Sequence, residues 1–209
     1  MSAQFHRPVR RPSSAFENIT GSDDAAESLR VAHATASALL TRVRADDSGV
    51  AAERVLAFAA EHGIDAVAEL WADASARSLP GCLWRLYLVQ LAIHSDPALA
   101  ALLYERGRSE LRSIDPAVAG APSPAGPDEL VELVDTILRG VFRGDFAIAL
   151  ERAASFCRVE AAGATHLADD CERTESERAT ELTTRALRLA TYAEDLSASA
   201  TLWRRGALM

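Results

Sequence analysis

Two places in this 209-residue sequence combine residue types that could do chemistry. The first is Arg85, set in the apolar run LPGCLWRLYLVQLA with Trp84 and Tyr87 beside it. A guanidinium in such a run must be paired, because burying an unpaired charge is costly. Its partner is either an acid such as Glu69 or Asp73 on the preceding helix, or an anionic ligand that Arg85 would contact together with the two aromatic rings. The second is the run ATHLADDCE, where His166 lies three and four residues from Asp169 and Asp170. On a helix these share a face, so one imidazole and one or two carboxylates could hold a divalent metal. The competing reading is an acidic surface turn, since no second histidine is near in sequence. A third candidate is the opening HRPVRRP, whose Arg7, Arg10 and Arg11 could dock on a protein partner.

The absences are as informative. All 22 basic residues are arginine, so a P-loop lysine, a Schiff-base lysine and a lysine general base are excluded. No H-E-x-x-H, G-x-S-x-G or G-x-G-x-x-G occurs, and none of the five histidines has a glutamate three residues before it, as di-iron bundles require. The residues therefore imply no cofactor and favour a non-enzymatic role. The alternative is a ligand-binding or enzymatic bundle with its anion contact at Arg85.

The elements that would position these groups are all helices. No segment alternates β-branched residues at period two, so the class is all-α. About eight helices are expected in one domain over 22–209, behind a basic tail over 1–21. Asp23, Asp24 and Glu27 open the first, whose stripe Leu29, Ala32, Ala36, Leu39, Leu40 and Val43 runs to Arg44. Helices over about 50–62 and from Asp65 follow, with Ser78-Leu79-Pro80-Gly81 ending the latter. The fourth, about 81–94, is apolar nearly all round and is expected at the centre. Asp96-Pro97 starts a fifth, weakened at Gly107. The Pro- and Gly-rich stretch 113–127 reads as an internal loop.

Beyond it, Leu130, Leu133, Val134, Ile137, Leu138 and Val141 mark a sixth helix. A seventh begins after Gly144-Asp145 and is closed by Gly163. Thr174 and Glu177 make a capping-box pattern, and a long last helix carries Ala179, Leu182, Ala186, Leu189, Ala193, Leu196, Ala200 and Trp203. That stripe packs on the protein's own helices or forms a homodimer. At an offset of 98 residues, Leu40, Val43, Asp47, Ala51, Glu53, Arg54 and Phe58 echo Leu138, Val141, Asp145, Ala149, Glu151, Arg152 and Phe156, which would make two related halves.

Composition bounds the partners. Side chains are 49% hydrophobic and the net charge is −8. A tail of +2 on a body of −10 would bind nucleic acid only weakly and in a salt-sensitive way, which argues against direct nucleic-acid binding. No apolar run approaches the roughly 20 residues of a membrane span, and the first residues lack a secretory h-region. Three cysteines without a paired framework imply a reducing cytoplasm.

The segments FHRPVRRPSSAFENITGSDD, LPGCLWRLYLVQLA, SIDPAVAGAPSPAGP and FRGDFAIALERAASFC resemble a family of Ala- and Arg-rich helical proteins from actinobacteria, some of which carry the designation RNA polymerase β subunit. A β subunit is several times longer, mixed α/β and basic along its nucleic-acid channel, so that designation does not fit these residues. The resemblance implies a cytoplasmic location and supplies no catalytic residues. The expectation is thus an interaction module whose tail or exposed helical face engages an unidentified protein.

Overall fold

The computed structural model describes residues 22–46, 48–51, 54, 71–122 and 125–208. Among these residues there are seven helices and no strand: α1 (Ser22–Arg44), α2 (Leu79–Ser95), α3 (Pro97–Glu110), α4 (Asp115–Ala119), α5 (Pro127–Arg143), α6 (Phe146–Cys171) and α7 (Ser176–Arg204). The protein is an all-α bundle. The expected helix over 50–62 and the start of its successor lie almost wholly outside the described residues, as do Arg7, Arg10 and Arg11.

The central helix is α6, not the apolar α2. Helices α3, α4, α5 and α7 all pack on α6. Its inner surface alternates small residues (Ala149, Ala153, Ala154, Ala161, Gly163, Ala164) with Leu150, Phe156 and Val159, all buried. Small side chains let several neighbours approach closely, which total apolarity does not. Helix α2 leaves Leu91 48% exposed and packs mainly on α1, α5 and α7.

Gly163 does not end a helix. It lies inside α6 opposite Gly107 of α3, and a β-carbon on Gly163 would overlap the Leu103 carbonyl, one on Gly107 the Val159 carbonyl. The two glycines allow the α3 and α6 backbones to touch, so Gly107 trades helix propensity for a close crossing.

Other local expectations are revised in the same way. Ser78-Leu79-Pro80-Gly81 begins α2 rather than ending its predecessor: the Ser78 hydroxyl accepts from the Gly81 amide at 3.2 Å, and Pro80 sits in the first turn. Asp96 caps α3 through the Leu99 amide at 3.0 Å, as its sequence implies. The Pro-rich stretch contains the short helix α4 and is tied down on α6, with Arg158 paired to Asp115 at 2.7 Å and Arg152 donating to the Ala119 carbonyl at 3.2 Å. The Thr174–Glu177 capping box does not form; α7 starts without a side-chain cap at Glu175.

In α1 the buried stripe narrows to Ala32, Ala36, Leu40 and Val43, and Leu29 is exposed. The long α7 runs back along α6, burying every predicted stripe residue from Ala179 to Ala200, with Trp203 tilted against Phe146 at 4.6 Å. The stripe is therefore filled within the chain, and a homodimer would have to use another face. Of the internal echo, Leu40, Val43, Leu138 and Val141 are all buried, while Asp47, Glu53 and Phe58 lie outside the described residues.

Candidate functional site

Helix α7 meets the rest of the molecule at two buried acids. One, Asp195, is on α7 itself. Arg85 of α2 donates its Nε to Asp195 at 3.0 Å and its Nη1 to the Gly81 carbonyl at 3.1 Å, and its guanidinium lies 5.7 Å from the Tyr192 ring centre. Arg77 approaches the other Asp195 oxygen at 3.4 Å. Among the described residues the acid that pairs with Arg85 is thus Asp195 and not Asp73, which is exposed; Glu69 lies outside the described residues. Trp84 and Tyr87 sit beside Arg85 with ring centres 5.4 Å apart, but as ring neighbours of each other.

The second acid, Glu160 of α6, is 1% exposed, and neither carboxyl oxygen has a hydrogen-bond partner. Arg185 of α7 is the cation next to it at 3.6 Å, too long for a hydrogen bond. Burial, only partly countered by Arg185, pushes the Glu160 carboxyl up to about 8. The same dry surroundings raise the Tyr104 phenol of α3 to about 12 and lift the neighbouring Cys157 thiol, in both cases with a further contribution from Glu160. An acid on the inner stripe of α6, between Phe156 and Gly163, is legible in the sequence; sequence reasoning passed over it because its spacing matched no catalytic motif.

Arg185 also lines an open groove of about 760 Å³ between α3 and α7. Ala98, Leu99, Leu102 and Leu182 form an apolar floor, and α7 supplies Arg178, Arg185 and Arg188 along one wall, with Asp96 and Glu181 also at the edge. The three arginines fall at i, i+7 and i+10, which keeps them on one face over about 15 Å. Arg178 is partly engaged by Glu175 at 3.3 Å. Of two smaller grooves, one lined by Asp128, Glu129 and Glu132 lies elsewhere, the other, lined by Asp169 and Glu172, adjoins the first at Thr180 and Thr184, and none of the three includes Arg85.

The His166 run forms the last turns of α6. His166 and Asp169 are exposed, and Asp170 pairs with Arg106. No group of three or more His, Cys, Asp or Glu side chains suited to a metal occurs among the described residues. A polar cluster unmarked in the sequence joins α2 to α5: Asp135 accepts from Gln90 at 2.9 Å and contacts the His94 ring at 3.0 Å.

No single helix among the described residues is long and apolar enough to cross a membrane; α2 and α3 have the apolar length together but are bent by 107°. No protein family, curated protein or solved structure matches this chain.

Proposed function

We propose that this chain is a non-enzymatic helical interaction module whose α3–α7 groove receives an acidic amphipathic helix from a partner protein. The observation behind this reading is the groove itself. It is long and open rather than enclosed, with an apolar floor on which Leu102 is 49% exposed and a guanidinium row on one wall. A floor of this kind fits the apolar face of a helix, and the row fits carboxylates flanking that face. Against a net charge of −8 the row is a local cationic strip, which favours an acidic occupant at this place. The other strongly placed arginines, Arg85, Arg158 and Arg204, are engaged in ion pairs within the fold. A cytoplasmic setting, in keeping with three free and buried cysteines, belongs to the same proposal.

The test is fluorescence anisotropy of the full chain with a set of helical peptides, each bearing one leucine stripe flanked by glutamates and together covering every register. Binding is expected from the glutamate set and not from a lysine counterpart set. Leu102→Asp, in the groove floor, should weaken it by about tenfold or more, while Leu91→Asp on exposed α2 surface should leave it unchanged. Equal binding by both variants, or no binding by any peptide, would overturn the reading.

A further inference from the structure

We infer that Arg185 is shared between two carboxylates, the buried Glu160 beneath the groove and one presented by the occupant, so that acidic-helix binding is coupled to a proton on Glu160. This rests on the groove reading above and adds its control. The geometry is specific: Arg185 lines the groove and also reaches Glu160 at 3.6 Å, without closing a hydrogen bond. A guanidinium held that loosely can turn toward a second acceptor at small cost. Neither oxygen of Glu160 has another partner, so without Arg185 the carboxylate would be a buried charge with nothing to answer it.

The groups facing Glu160 determine the sign. Arg185 comes from α7 and favours the charged form, Tyr104 comes from α3 as a neutral phenol, and Cys157 lies on α6 itself as a neutral thiol. The nearest charge that α4 contributes to α6, Asp115, is held by Arg158. Dry burial keeps Glu160 protonated at neutral pH, which leaves Arg185 available to an incoming carboxylate. Above about pH 8 Glu160 ionises and holds Arg185, so the occupant must displace it, and binding then takes up one proton. The peptide glutamates, whose ordinary carboxyl range lies well below pH 6, keep their charge over this range and do not supply the effect.

The experiment is the same peptide titration from pH 6 to 9.5 on the full chain, Glu160→Gln and Arg185→Gln, with circular dichroism confirming helix content in each. Wild-type affinity is expected to be level below pH 7 and about tenfold weaker at pH 9. Glu160→Gln should bind as tightly as wild type does at pH 6 and stay level throughout. Arg185→Gln should bind several-fold more weakly at pH 7 with no slope. A level wild-type profile, or an undiminished slope in Glu160→Gln, overturns the coupling while leaving the groove reading intact. Absence of binding at every pH overturns both.

Discussion

Asp195 and Glu160 are both buried carboxylates on the seam between α7 and its neighbours, yet they are answered differently. Asp195 receives Arg85 at 3.0 Å and Arg77 at 3.4 Å, and Arg85 is further fixed by the Gly81 carbonyl and the Tyr192 ring. Glu160 is drier, has no hydrogen bond, and faces a single arginine at 3.6 Å. A fully answered pair fastens α2 to α7. A poorly answered one leaves its acid neutral over most of the physiological range and its cation free to serve elsewhere. The contrast separates a fastening from a responsive site without reference to any motif.

The largest effect that can sharpen this contrast is on stability against pH. The folded Glu160 is raised to about 8 from an ordinary value of 4.5, so its contribution is complete below pH 4.5 and is lost as pH rises through 8. Urea unfolding should show Glu160→Gln gaining on wild type between pH 5 and pH 9 by on the order of 4 kcal/mol. Parallel pH profiles for the two proteins would mean that Glu160 is charged after all and that the two acids are alike.

Next in size is Asp195→Asn, which strands the 17% exposed Arg85 side chain. A loss of about 3 kcal/mol in unfolding free energy is expected at pH 7, at the lower end for a broken buried pair because the Gly81 carbonyl remains. The smallest is Arg77→Gln. Arg77 is 57% exposed, so its arm of the same pair should contribute no more than about 0.5 kcal/mol in the same assay. A loss as large as that of Asp195→Asn would show that Arg77 and Arg85 share the acid equally.

Arg85 was legible as a residue that must be paired, because an arginine in an apolar run leaves no other stable arrangement. Its partner was not legible, since Asp195 is 110 residues away in sequence and reaches Arg85 only because α7 folds back across the bundle. Gly163 shows the same limit. A glycine after a helical run reads as a stop, and only the facing Gly107 of α3 turns it into a crossing point.

By itself the sequence determined the all-α class, the cap at Asp96, and the stripes of α5 and α7, because periodicity and capping depend on residues within a few positions of each other. Only the tertiary structure decided that α6 rather than α2 is central, that Asp195 is answered and Glu160 is not, and that Arg185 lines a groove. These depend on which small residues permit close approach and on how helices far apart in sequence align, and no local pattern encodes either.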